Sequence, residues 1–112
     1  MSRPVSVGLN LVAGTLTTVY TVPKGYYVKW NLMYLFNGSG STKSMTVYWH
    51  DTSTNTDIYV LNNNTILAKE FLRMDGGAYV VMEEGDTVMM QSELGSFFST
   101  ICSFEIFKKD GI

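Results

Sequence analysis

Residues 19–50 read VYTVPKGYYVKWNLMYLFNGSGSTKSMTVYWH, and the alternation in this stretch decides the fold. Over 27–36, Val28, Trp30, Leu32, Tyr34 and Phe36 share one parity, and Lys29, Asn31, Met33 and Leu35 the other. Over 42–50, Met45, Val47 and Trp49 alternate with Thr46, Tyr48 and His50. A period of two, enriched in β-branched and aromatic residues, is the signature of a strand. Asn37, Gly38, Ser39, Gly40 and Ser41 between the runs suit a connection, because Gly reaches positive φ at little cost. The stretch therefore predicts two strands closing as a central hairpin. The Trp30 and Trp49 parities are expected to build the core, and Met33, Leu35 and Tyr48 to face the other way.

The flanking sequence repeats this grammar. Val5, Val7 and Leu9 alternate with Ser6, Gly8 and Asn10, which predicts an N-terminal arm or edge strand over 1–14. A single β-sandwich domain is expected over 15–112. It resumes at 15–22, turns at Pro23-Lys24-Gly25, and turns again in the polar DTSTNT run at 51–56. Short extended runs are expected at 57–61, 65–68, 71–74, 78–82 and 87–91. They are separated by Asn62-Asn63-Asn64, by Asp75-Gly76-Gly77 and by a solvated acidic turn at Glu83-Glu84-Gly85-Asp86. A long final strand over 97–107 places Phe98, Cys102, Phe104 and Ile106 on one parity and Phe97, Ile101 and Phe107 on the other, before a short tail at 110–112. No segment keeps a helical period for two turns. About eight short strands at this spacing predict an all-β, antiparallel sandwich of jelly-roll-like form.

Composition narrows the function classes. The chain has 112 residues, of which 46% are hydrophobic and only 16% charged. Ordinary domains carry about 25% charged residues. Such a surface is expected to be covered by a partner or by copies of the chain. The net charge of −2 gives no basic field for phosphate, so nucleic acid is not an expected partner. No apolar run reaches membrane-helix length or has the form of a signal peptide, and no membrane partner is expected.

The chemistry-bearing residues are sparse. One Cys excludes an intrachain disulfide, and Cys102 in an apolar strand reads as a buried small hydrophobe. His50 is the only histidine, too few ligands for a transition-metal site and unaccompanied by a G-x-S-x-G elbow. Glu83, Glu84 and Asp86 lack the oxygen-ligand spacing of a calcium loop. No glycine-rich loop opens a helix. The expectation is no catalytic residue, no metal and no cofactor, hence no enzyme. The Tyr-, Trp- and Asn-rich strands admit a second function, a carbohydrate-binding module for host attachment. A cupin-type enzyme is a third, opposed by the single histidine.

The run Val19-Tyr20-Thr21-Val22-Pro23-Lys24-Gly25 resembles the opening of small β-sandwich structural proteins of tailed bacteriophages, such as head-decoration, head-fibre and neck or tail components. The resemblance continues over 32–41. It returns in Val81-Met82-Glu83-Glu84-Gly85-Asp86-Thr87-Val88, an apolar strand leading into a GD turn, and in the closing strand over 98–107. TVPxG and EGD turns also occur in cupin-like and C1q/TNF-like jelly rolls. Lys24 stands where a small residue is usual, and Met and Tyr are unusually many. The resemblance implies a non-enzymatic virion protein, assembled in the host cytoplasm. It would bind copies of itself, with a trimer favoured, and dock on a major capsid protein or a neck or tail protein. A surface glycan is a further partner under the alternative reading. The interface residues expected from parity and strand ends are Tyr27, Met33, Leu35, Tyr48 and Tyr59.

Overall fold

The alternation that marks the strands also sets which side chains meet across the two layers. The computed structural model describes residues 2–75, 77 and 79–110. Its strands are β1 (Ser2–Asn10), β2 (Thr17–Thr21), β3 (Tyr26–Asn37), β4 (Lys43–Asp51), β5 (Thr56–Ile66), β6 (Phe71–Met74), β7 (Val80–Met82), β8 (Thr87–Ser92) and β9 (Phe98–Lys108). Among the described residues there is no helix. Met1 of the expected arm, Gly76 of the 75–77 turn, Ala78 of the 78–82 run and residues 111–112 of the tail lie outside the described residues.

All pairings are antiparallel, and one set is nested: β1 with β9, β2 with β8, β3 with both β6 and β7, and β4 with β5. Pairing of β9 with β3 and of β8 with β4 joins these ladders into sheets. The chain is thus one long folded-back ribbon whose bend is the loop after β4. Rolling that ribbon sends successive strands to alternate layers. A five-stranded sheet in the order β1-β9-β3, with β6 and β7 side by side on the far edge of β3, packs on a four-stranded sheet in the order β2-β8-β4-β5. This is a jelly roll of nine strands.

The roll corrects the expected central hairpin. β3 and β4 lie in different sheets and do not pair; the 38–42 connection crosses between layers. Alternation predicts a strand but not its neighbour, and a five-residue Gly/Ser connection can turn within a sheet or step across to the next one. Residues 62–64 are not a turn between strands either. They bulge within β5, where the pairing skips from Asn64 to Leu61. Asn63 takes φ +54°, and its N–H donates to Thr46 Oγ1 at 3.0 Å.

The face assignment within β3 changes at one residue. The pairing with β9 runs from Trp30 with Phe104 directly to Leu32 with Ser103, leaving Asn31 as an extra residue. A bulge of this kind inverts side-chain parity beyond it. Val28 and Trp30 face inward before the bulge; Met33, Leu35 and Asn37 face inward after it. Trp30 Nε1–H donates to the Leu32 carbonyl at 3.0 Å and staples the bulge. The core is then filled from the five-stranded sheet by Val28, Trp30, Met33, Leu35, Phe98, Cys102, Phe104 and Ile106. Val19, Met45, Val47, Val88 and Met90 face them from the four-stranded sheet.

A buried polar residue secures each end of the roll. At one end Asn37 is fully buried and its Nδ2 donates to the carbonyls of Ser41 and Ile66, tying the two inter-sheet crossovers together. At the other end the expected solvated acidic turn is corrected: Asp86 is 1% exposed. Its carboxylate accepts from Trp49 Nε1, from the backbone N–H and hydroxyl of Thr52, and from the N–H of Glu83. Unpaired buried acceptors are costly, and four donors remove that cost here. The TVPKG and EEGD turns also meet at this end, through Gly85 N–H to the Val22 carbonyl at 3.0 Å and Gly25 N–H to Glu84 Oε1 at 3.1 Å. Gly25 and Gly85 take φ of +86° and +87°, the conformation these turns require of glycine.

Candidate interaction surfaces

The five residues expected at an interface do not converge. Met33 and Leu35 are in the core, 2% and 0% exposed, because the Asn31 bulge turns them inward. Tyr27 lies on the outer face of the five-stranded sheet, stacked on Phe107 with ring centroids 5.0 Å apart. Tyr48 and Tyr59 are cross-strand neighbours on the outer face of the four-stranded sheet, on the opposite side of the sandwich, with centroids 5.2 Å apart. Burial, with the Asp57 charge and Tyr59 adding to it, raises the Tyr48 phenol above its ordinary pKa. Met89 sits beside Tyr48 on that face and Thr46, Thr87 and Gln91 are its polar members, while His50 Nδ1 lies 2.6 Å from Asp57 Oδ1.

The five-stranded sheet is different. Register places the outer side chains in cross-strand rows. Phe107 sits beside Tyr27, Glu105 beside Lys29 and Val81, Ile101 beside Tyr34 and Arg73, and Ser99 beside Phe36 and Phe71. Tyr34 and Phe71 stack at 5.3 Å. Lys29 Nζ lies over both the Tyr79 and Phe107 rings, at 4.7 and 5.2 Å from their centroids. These contacts make an aromatic band along β3, bounded by the small and polar outward residues of β1.

A third surface was not expected. The connections at 11–16, 38–42, 67–70 and 93–97 all gather at one end of the roll, which follows from the strand register. Val12, Leu16, Leu67, Leu94 and Phe97 stand out from them, 47 to 77% exposed. Three of the charges at this end are tied down locally. Lys43 Nζ is 3.8 Å from Glu93 Oε2, and Lys69 Nζ donates to the Gly38 carbonyl at 2.7 Å. Hydrogen bonding from the Ser44 N–H, together with Lys43, holds the Glu93 carboxyl below its usual range against the opposing effect of burial. Leu94 lies over Gly14, where an added Cβ would come within 2.4 Å of it. The opposite end carries Lys24, Glu83, Glu84 and Lys109 and is charged. The domain, 51 × 26 × 21 Å, therefore has one apolar and one charged pole. Leu94 stands in the sequence inside a polar loop, whereas the alternation assigns Leu67 and Phe97 to extended runs at 65–68 and 97–107. Their gathering at one end depends on topology that the sequence pattern does not reveal.

Among the described residues no catalytic constellation accompanies these surfaces. His50 is engaged with Asp57 on the outer face of the four-stranded sheet, while Cys102 is sealed in the core of the other sheet. Burial pushes its thiol up to about 11. Among the described residues no three of His, Cys, Asp and Glu come together as metal ligands. No helix among them is long and apolar enough to cross a membrane. A cavity of about 210 Å³ opens at the sandwich edge between β6 and β7. Its walls are mainly apolar, from Trp30, Leu32, Met33, Val60 and Val80.

The architecture defines the chain as a jelly-roll sandwich, and solved structures share it. No family model matches the chain, and no curated protein sequence matches it either. A chain from the acid-stable capsid of the Helicobacter pylori bacteriophage KHP30 superposes with a TM-score of 0.54 at 12% identity, covering 97% of this chain and 89% of its own. A chain from the capsid of cyanophage Pam1 gives 0.51 at 11% identity, covering 96% and 84%. The Bacillus endospore appendages, described as disulfide-linked pili, supply a chain at 0.51 and 17% identity, covering 98% and 88%. At these identities the likeness is one of fold.

Proposed function

We propose that this chain is a non-enzymatic structural component of a bacteriophage particle that binds copies of itself and docks on a capsid, neck or tail surface. The observation that carries the docking is the apolar pole. Val12, Leu16, Leu67, Leu94 and Phe97 are exposed together, on loops where Lys43 pairs with Glu93 and Lys69 bonds the Gly38 carbonyl. Clustered exposed apolar side chains mark interaction sites, and paired charges suit an apolar protein surface better than a charged one. The fold likeness to two phage capsid chains and a pilus chain supports a role in assembly rather than in chemistry. The pole is small. Its cross-section of 26 × 21 Å is about 550 Å², below the roughly 800 Å² per partner of a standard interface. A closed oligomer, with a trimer favoured, would present several poles in parallel to a repetitive lattice and gain avidity. The expected location is the virion, after assembly in the host cytoplasm.

The test is made on purified particles from a host expressing the chain. Mass spectrometry is expected to find it in stoichiometric amount, and electron microscopy to place the 93–97 loop against the underlying shell or tube. Leu94→Asp with Phe97→Asp should abolish incorporation while the free domain stays folded. Particles that lack the chain, or that retain the double variant at full occupancy, sink this reading.

A second reading rests on Tyr48 and Tyr59. Their adjacent rings, with His50 and Asp57 in the next cross-strand row, suit stacking on a sugar ring and bonding to its hydroxyls. This is the carbohydrate-binding alternative, with a surface glycan as partner. A glycan array showing no saturable binding, or binding that survives Tyr59→Ala, counts against it.

A further inference from the structure

We infer that the outer face of the five-stranded sheet, organised by the aromatic band on β3, is buried against a second copy of this chain. The inference deepens the self-association proposed above and rests on it. Three observations select the occupant. The first is area. Four strands at about 4.8 Å spacing, over the 11 residues of β9 at about 3.4 Å each, give a face of roughly 700 Å². That is close to the about 800 Å² per partner of a stable interface. A lone small ligand would leave most of it uncovered.

The second observation is charge. The face and its rim carry Lys29, Arg73, Asp75 and Glu105, two of each sign, and each is engaged within the chain. Lys29 lies over the Tyr79 and Phe107 rings. Arg73 Nε is 3.1 Å from Asp75 Oδ2, and Glu105 Oε2 accepts from Ser2 Oγ at 2.7 Å. The face is balanced in charge, so no electrostatic barrier of its own opposes the approach of a copy. The aromatic and aliphatic members, Tyr34, Phe71, Ile101 and Val81, are the anchors that dominate such contacts.

The third observation concerns the edge. β1 is the free edge of this sheet and the simplest place for a copy to add a strand. Leu11 N–H donates to the Phe98 carbonyl, so the register puts the bonded pairs of β1 and β9 at odd-numbered positions of β1. Pro4 sits at an unbonded position, and its nitrogen, which lacks a hydrogen, points to the free edge. A proline there blunts edge-to-edge growth. Association is directed to the face, which favours a closed assembly over an open ribbon.

The test uses the purified chain without any scaffold, so its outcome is separate from docking. Sedimentation is expected to show an oligomer that Ile101→Glu and Phe71→Glu each reduce to monomer, with the association constant weakened at least about 100-fold. Both positions are exposed in the single chain, and circular dichroism should be unchanged. Tyr59→Glu, on the other outer face, and Leu94→Glu, at the apolar pole, should leave the mass unaltered. Hydroxyl-radical footprinting of the unmodified chain is expected to protect Tyr34 and Phe71 and to leave Phe97 reactive. A wild-type monomer overturns the inference. So does dissociation by Tyr59→Glu or Leu94→Glu with Ile101→Glu silent, and so does a footprint protecting Phe97 instead of Tyr34.

Discussion

Asp86 shows how one side chain can hold an end of a jelly roll. Burial by itself would raise its pKa, but the bonds from Glu83, Thr52 and Trp49 outweigh that and hold it below the ordinary value. The folded-state pKa therefore lies under the unfolded one of about 3.9. The stabilisation is whole above that pH and is lost as pH falls through the folded value. Glu84, held down mainly by the Gly25 N–H and helped by Lys109, acts with the same sign, as does Glu93. Asp86→Asn keeps the shape but turns an amide donor toward groups that already donate. It is expected to cost about 2–3 kcal/mol at neutral pH and much less in acid. Urea titrations at pH 7 and near pH 3 check this; a pH-independent difference would refute it. Cys102 supplies a second residue-scale prediction. A thiol pushed to about 11 by burial is almost wholly protonated near neutrality, and it lies in the core between the sheets. Ellman's reagent is expected to leave the native protein unlabelled and to react with one thiol per chain after unfolding.

At the scale of elements, β3 decides what faces the core, and it does so through Asn31. Leu35→Ala removes a fully buried side chain and is expected to cost about 2–5 kcal/mol. Tyr34→Ala, on the outer face, should cost less than half as much when measured on the monomer. Unbroken alternation from Trp30 demands the reverse order, so denaturant midpoints of the two variants separate the bulged strand from a regular one. β9 was legible throughout, because nothing interrupts its pattern from Phe98 to Ile106 and a long uninterrupted alternation has one solution. β3 was legible only as a strand. An extra residue such as Asn31 leaves no mark in composition, yet it moves Met33 and Leu35 from an expected interface into the core. The pairing partner of β4 was illegible for another reason: β5 and β8 satisfy its two edges as well as β3 could. Tyr27, Tyr48 and Tyr59 were found as outward aromatics, but on opposite faces, and only topology sorts them.

For the whole molecule, the proposed contact between copies would couple stability to assembly. A thin sandwich has one interior layer, and here the outer aromatic band and the apolar pole leave further apolar surface in water. Covering the five-stranded face with a copy removes some of that surface only in the folded state. Association that is specific to the folded chain raises its apparent stability by mass action. For a closed oligomer each tenfold increase in concentration adds about 0.7 kcal/mol per chain for a dimer and about 0.9 for a trimer, or about 3–6 °C in Tm for a domain of this size. Calorimetry over two decades of concentration is expected to show that slope for the wild type and none for Ile101→Glu. The two should converge at high dilution, because Ile101 lies on the outer face and contributes little to the single chain's core. A Tm independent of concentration in the wild type would mean the aromatic band is not covered by a copy in solution. A variant that melts lower even at the highest dilution would mean that Ile101 stabilises the single chain rather than the contact between chains.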